Sequence, residues 1–210
     1  MLEQDLKKAI AHLSTADPVL GRAIDTIGPC RIEIDPIVDP FNALARAIAF
    51  QQLSGKAAST IFGRVLDLFP DRVLTPDRIL DTEDDTLRGA GLSRAKTAAI
   101  KDLAAKRQEG IVPDMETLLE LPDAEIVKRL TAVRGIGRWT VEMLLIFNLG
   151  RMDIMPSTDL GVQKGFQQVY DLENLPKPKE LESYSEIWQP YRSIASWYFW
   201  RVADGPDSEW

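Results

Sequence analysis

The chain has a single cysteine and a single histidine in 210 residues. Cys30 alone excludes an internal disulfide, a zinc cluster and an iron–sulfur cluster, each of which needs several ligands. His12 stands far from any motif, which argues against a histidine-based triad or a multi-histidine metal site. No apolar run approaches the ~20 residues that span a bilayer, so no membrane partner is expected. Residues 1–13 have the pattern of a charged amphipathic helix rather than a signal peptide. Strict polar–apolar alternation is almost missing, as are internal repeats and low-complexity segments. The fold class read from this is all-α. With 45% hydrophobic residues, the chain can bury a core as one domain or as two lobes.

An excess of positive charge is also lacking. The net charge is −7, which taken alone argues against a nucleic-acid partner. Its distribution says more than its sum. From Lys128 to Gln168, six basic residues stand against three acidic ones, a local +3 that leaves −10 on the remainder. A basic strip on an acidic body suits a protein that touches DNA over a small footprint and leaves it easily. A solvated helix face would have the same composition.

The informative stretch runs from Asp123 to Gly165. Pro122, Asp123 and Glu125 suit a helix start, where acidic groups meet the positive end of the dipole. Ile126, Val127, Leu130 and Val133 recur at helical spacing. Gly135 and Gly137 flank Ile136, so the backbone there has access to turns closed to residues with a Cβ. A second, more apolar helix opens at Gly137 or Arg138, and the exposed amides at its start form an anion seat. A short loop follows, with an aspartate at the mouth of a third helix.

The run Val133-Arg134-Gly135-Ile136-Gly137-Arg138-Trp139-Thr140 is followed about twenty residues later by Pro156-Ser157-Thr158-Asp159-Leu160-Gly161-Val162. This combination resembles the helix-hairpin-helix DNA glycosylase superfamily, most closely its AlkA-like (Mag-type) 3-methyladenine DNA glycosylases. The resemblance extends over most of the chain from Phe41 onward. It implies two helical lobes with the active-site cleft between them. Lobe A is expected at about 1–40 plus 150–210, and lobe B at about 41–149 with the helix-hairpin-helix at 123–149. The large β domain that some members carry before the helical core has no room here.

The resemblance also implies roles. Asp159 matches the catalytic aspartate, whose carboxylate stabilises positive charge developing on the sugar as an N-glycosidic bond breaks. Read without the family, Asp159 is an N-cap for the helix from Leu160, and the two readings are compatible. Asp153 on the preceding loop is read as structural. Bifunctional relatives carry a lysine nucleophile where this chain has Trp139, so base removal by water without strand cutting is implied. Trp139 and Trp200 match aromatic walls of the base pocket, where an indole face attracts a cationic base. Met143, at a position often aromatic, leaves that pocket wider.

Gln51-Gln52-Leu53-Ser54 matches the turn that lies against the minor groove, with Leu53 as the wedge that fills the gap left by an extruded nucleotide. Gln52 and Ser54 flank it, and some relatives carry histidine where Ser54 stands. Without the family, Leu53 reads as a core leucine. The amides of Gly135, Gly137 and Arg138 are implied to bind a phosphate. The carbonyls of Thr131, Val133 and Ile136 are implied to hold a structural Na+ or K+, with no cofactor needed for catalysis. The partner implied is double-stranded DNA containing alkylated bases, bound by a monomer in the cytoplasm, associated with the nucleoid, or in the nucleus of a eukaryote. A glycosylase for oxidised or deaminated bases and a non-catalytic DNA-binding hairpin module are the alternatives.

Elsewhere, helices are expected at 2–14, 17–27, 41–50, 55–68, 76–81 and 114–120. Another runs from a Ser93 cap to Gln108, and a closing aromatic helix covers 188–201. Residues 31–40 read as a connector, and 170–190 as a polar, proline-containing stretch with a turn at Pro176-Lys177-Pro178. Gly89-Ala90-Gly91, beside Arg94 and Lys96, is either a second backbone contact to DNA or a tight helix connection. Residues 204–210 read as a frayed tail.

Overall fold

The computed structural model describes residues 3–205, so most of the expected frayed tail, 206–210, lies outside the described residues. Among the described residues there are thirteen α-helices and no strand. The chain divides into two compact units, 37–141 and 1–36 with 142–210.

The 37–141 unit opens with α3 (Pro40–Phe50), which follows α1 (Glu3–Ala16) and α2 (Pro18–Ile27) of the other unit. Pro40 occupies the first helical turn and Asp39 caps it, accepting the Asn42 N–H at 3.1 Å. Next come α4 (Gly55–Leu66), α5 (Pro76–Asp81), α6 (Asp84–Gly89) and α7 (Arg94–Gln108). Ser93 caps α7 through the Lys96 N–H, and α7 packs against α3 and α5. The unit continues with α8 (Met115–Glu120), capped by Asp114, then α9 (Asp123–Leu130) and the start of α10 (Arg138–Met143). Its core is mainly aliphatic, with Leu44, Ile48, Ile79, Leu87, Ile100 and Leu103 fully buried beside the aromatic Phe41.

The other unit begins with α1 (Glu3–Ala16) and α2 (Pro18–Ile27), which pack together. Between them lies Asp17, buried and satisfied. Oδ1 accepts the Val19 and Leu20 N–H groups as an N-cap, and Oδ2 accepts Trp188 Nε1 at 2.9 Å and the Tyr170 hydroxyl. Burial and the hydrogen bond to Asp17 push the Tyr170 hydroxyl pKa far up. The connector after α2 is irregular, as expected, and is tied down at Asp35. Its N–H donates to Phe147 O at 2.8 Å, and its carbonyl accepts Asn148 Nδ2 at 2.7 Å.

After α10 the helical path widens into a π-turn over Leu144–Asn148, and the Leu149 N–H reaches back to Leu144 O. Then come α11 (Leu160–Val169), α12 (Pro178–Tyr184), a 3₁₀ turn (Ser185–Trp188) and α13 (Arg192–Asp204). The polar 170–190 stretch, where only a turn at Pro176-Lys177-Pro178 is expected, thus contains a helix and a 3₁₀ turn. Pro178 sits in the first turn of α12 and Leu181 is fully buried beneath it. The closing helix starts at Arg192 rather than 188. Trp188 belongs to the 3₁₀ turn, fully buried among Phe166, Tyr184 and Phe199. α11 and α13 cross in close contact because Gly165 has no side chain: a Cβ there would lie 1.9 Å from Phe199 O.

Candidate active site

The hairpin joins α9 to α10. Thr131 ends α9, with its hydroxyl donating to Val127 O, and the Ile136 N–H closes a turn on Val133 O at 3.1 Å. The two glycines differ. Gly135 has φ +80°, in the left-handed region that penalises a Cβ, and faces Ala99. Gly137 has no positive φ and open space where a Cβ would point, so its backbone does not demand glycine. Gly135, Gly137 and Arg138 are all exposed at the start of α10. Val133 and Ile136 are buried and Thr131 is half-buried. Trp139 is 48% exposed and Met143, four positions on, is half-buried.

The Gln51–Ser54 turn belongs to the same unit as the hairpin. Leu53 is 40% exposed, so it is not the core leucine that hydrophobicity alone suggests. Gln52 has φ +57°, uncommon for a residue with a Cβ, and is exposed together with Ser54. Ser54 precedes α4 without a side-chain capping bond. Gln51 Nε2 donates to Gly135 O at 2.8 Å, connecting this turn to the hairpin.

In the other unit, Asp159 caps α11. Oδ1 accepts the Val162 N–H at 2.8 Å and Trp200 Nε1, from α13, also at 2.8 Å. The carboxylate is half-buried and its backbone is held by its own N–H to Pro156 O. Trp200 is packed rather than open, at 6% exposure, with Phe147 against it at 5.5 Å between ring centroids. Gly161 makes room for the pair: a Cβ there would lie 2.8 Å from Trp200 Cδ1 and 3.1 Å from Asp159 Oδ1. Trp200 and Phe147 border a cavity of about 120 Å³, which Arg31, Glu33, Trp197 and Arg201 also line.

Asp153 is structural, as expected. It receives Arg192 Nε at 2.7 Å and Nη2 at 3.0 Å, fixing the start of α13. The Tyr198 hydroxyl donates to Gly28 O, within the core.

The sequence singles out Asp159 and Trp200 separately, and the structure joins them by a hydrogen bond that the sequence does not foretell. Sequence reasoning missed Phe147 and Gly161. Phe147 is four positions beyond Met143 in an apolar run, where nothing marks one residue over its neighbours. Gly161 sits beside Asp159 in the quoted motif, a signal that was available. Among the described residues, no group of three or more His, Cys, Asp or Glu side chains is gathered as for a metal ion.

The family model described as "HhH-GPD superfamily base excision DNA repair protein" matches residues 45–190. The chain is similar to DNA-3-methyladenine glycosylase 1 of Schizosaccharomyces pombe, with 37% identity over 204 residues, 94% of this chain and 88% of that one. It is also similar to the alkylbase DNA glycosidase-like protein mag2 of the same yeast, with 32% identity over 206 residues and 95% of each chain covered. Among solved structures it resembles the yeast 3-methyladenine DNA glycosylase Mag1 in complex with abasic DNA. That likeness has a TM-score of 0.80 and 36% identity, covering 96% of this chain and 99% of that one.

Proposed function

Because the chain belongs to the HhH-GPD superfamily of base excision DNA repair proteins, we propose that it is a monofunctional DNA glycosylase that flips out alkylated bases and excises them with water. The substrates are 3-methyladenine, 7-methylguanine and similar bases in double-stranded DNA, and the acting species is a monomer. The observation that carries this reading is the Asp159 carboxylate, held between the α11 N-terminus and the Trp200 indole by two 2.8 Å bonds.

A nucleotide alkylated at N3 of adenine or N7 of guanine already carries positive charge. When the bond from C1′ to the base nitrogen breaks, its electron pair moves to the base and neutralises it, leaving an oxocarbenium-like sugar. A carboxylate whose position is fixed beforehand stabilises that cation without reorganising. Water then adds at C1′ and its proton passes to the carboxylate or to solvent. No general acid for the leaving group is needed. Where Trp200 and Phe147 border the cavity, their rings offer an aromatic surface to a cationic base, worth about 2 kcal/mol when desolvated. Trp139 stands where a lyase needs an amine, and an indole forms no Schiff base.

Leu53 is the wedge and Gln52 and Ser54 its flanks, which accords with an apolar side chain left exposed on a turn of fixed shape. The amides of the exposed residues Gly135, Gly137 and Arg138 would hold a phosphate. The carbonyls of Thr131, Val133 and Ile136 would hold a Na+ or K+. This donor set is neutral oxygen with no carboxylate, which suits a hard monovalent ion. The Arg134 N–H, which lies within that turn, is engaged by the Asp102 carboxylate. An ion there would supply positive charge to the hairpin that meets the DNA backbone.

Incubating methylated duplex DNA with the protein and separating released bases by chromatography tests the reading. Free 3-methyladenine and 7-methylguanine, with strands intact until alkali is added, are expected. Release of only oxidised or deaminated bases overturns the substrate class. Binding without release of any base overturns the enzyme.

A further inference from the structure

α3 ends at Phe50, and its last carbonyls bring the negative end of the helix dipole to the Gln51–Ser54 turn. Lys96, in the first turn of α7, donates from Nζ to Ala49 O and to Gln51 O, both at 2.8 Å. Farther along α7, Asp102 Oδ2 accepts the Arg134 N–H of the hairpin at 2.7 Å. Between these two contacts Ala99 lies against Gly135, where an added Cβ would be 3.3 Å from the Ala99 Cβ. Residues 96, 99 and 102 fall on one face of the helix. The bond from Gln51 Nε2 to Gly135 O closes the triangle.

We propose that α7 is a brace that fixes the spacing between the Leu53 wedge and the hairpin's phosphate seat, with Lys96 and Asp102 as its positioning residues. The proposal rests on the reading of the chain as a base-flipping glycosylase. A wedge fills a gap in a base stack only if its turn resists being pushed back, and this turn holds Gln52 in a conformation that an unsupported chain leaves. Lys96 grips the turn from the side of α3, and Gln51 ties it to the hairpin. Asp102 grips the hairpin itself. A nucleotide pushed out by Leu53 thus has its backbone held at a set distance.

The electrostatics agree with the geometry. Partial burial lowers the Lys96 ammonium pKa. Burial alone would raise the Asp102 carboxyl, but the Arg134 N–H and the Lys106 ammonium outweigh it and hold the pKa below the ordinary carboxylate range.

Two variants separate a brace from ordinary stabilisation. Lys96→Met keeps the stem and removes the ammonium. Gln51→Met removes the link to Gly135 and leaves the α3 carbonyls with Lys96, so it carries the test if Lys96→Met fails to fold. Single-turnover base release is measured from duplexes with 7-methylguanine opposite either cytosine or a tetrahydrofuran abasic analogue, where eversion costs less. A neighbouring 2-aminopurine reports eversion by fluorescence whether or not a base leaves.

A brace predicts that Lys96→Met slows release from the paired lesion by about tenfold or more, and from the unpaired lesion by less than about threefold. The fluorescence rise is reduced in parallel. Gln51→Met shows the same split at smaller size, and Lys96→Arg restores most of the loss. Equal losses on both duplexes with an unchanged fluorescence rise overturn the brace, as does a wild-type protein that gives no rise at all. A wild type that everts the nucleotide but releases no methylated base defeats the glycosylase reading instead, and the fluorescence comparison still decides the brace.

Discussion

Replacing Asp159 by asparagine removes its charge and keeps an acceptor for the two hydrogen bonds that place it. Both hydrogen bonds converge on Oδ1, from the Val162 N–H and from Trp200 Nε1, and an amide oxygen accepts the same two donors. Asparagine is as good an N-cap as aspartate, so α11 keeps its start and stability should change by less than about 1 kcal/mol. The transition state is affected differently. A unit positive charge about 4 Å from a carboxylate gains roughly 4 kcal/mol at an effective dielectric near 20. Losing most of that slows base release by about a thousandfold. Single-turnover release from a methylated duplex measures the rate, and anisotropy with an abasic-analogue duplex should show little change in binding. Asp159→Ala is the structural control: it also removes the cap and the indole's acceptor, at a cost of about 1–2 kcal/mol in a thermal melt. If the asparagine variant released base within about tenfold of the wild-type rate, Asp159 would be a helix cap and nothing more.

Three further outcomes follow from close contacts. Gly165→Ala places a Cβ 1.9 Å from Phe199 O, so thermal melts should show a loss of about 3 kcal/mol or more, and a native-like melting temperature would contradict the α11–α13 contact. Gly161→Ala pushes the Trp200 indole and the Asp159 carboxylate apart, so base release should fall about tenfold for a stability loss near 1 kcal/mol. Unchanged activity there would mean that the Asp159–Trp200 bond is not needed. Asp102 sets a pH dependence. Its folded carboxyl is held below the ordinary value, so its contribution to stability is complete above the unfolded pKa near ~3.9 and is lost as pH falls through the folded one. The melting difference between wild type and Asp102→Asn should therefore stay level from pH 7 to about 5 and shrink on further acidification. A difference that grew in acid would reverse the assigned sign.

Most helix starts were legible because each carries a local chemical signal. Asp17 before Pro18, Thr75 before Pro76, Ser93, Asp114 and Asp159 are side chains that accept backbone N–H groups, and all five do so. Short helices were harder. Asp84–Gly89 and Pro178–Tyr184 are too short for an apolar period to register, and the second is surrounded by polar residues and prolines that resemble a loop. The π-turn after Met143 has no sequence mark, since each residue there is an ordinary helix former except Asn148. At the site, the motif resemblance singled out Asp159 over Asp153, and the helix after Asp159 marked it as an N-cap as well. The Asp159–Trp200 bond joins residues far apart in sequence, as do the bonds from Lys96 and from Gln51, so only the folded chain reveals them.

Duplexes bearing a cationic pyrrolidine abasic mimic and a neutral tetrahydrofuran mimic differ chiefly in the charge offered to the Asp159 carboxylate. The ratio of their dissociation constants, compared between wild type and Asp159→Asn, measures how strongly that oxygen pair favours a positive sugar. The wild-type protein should prefer the cation by about a hundredfold or more, and the variant should lose nearly all of that preference. A ratio that is the same in both proteins would contradict the assigned chemistry.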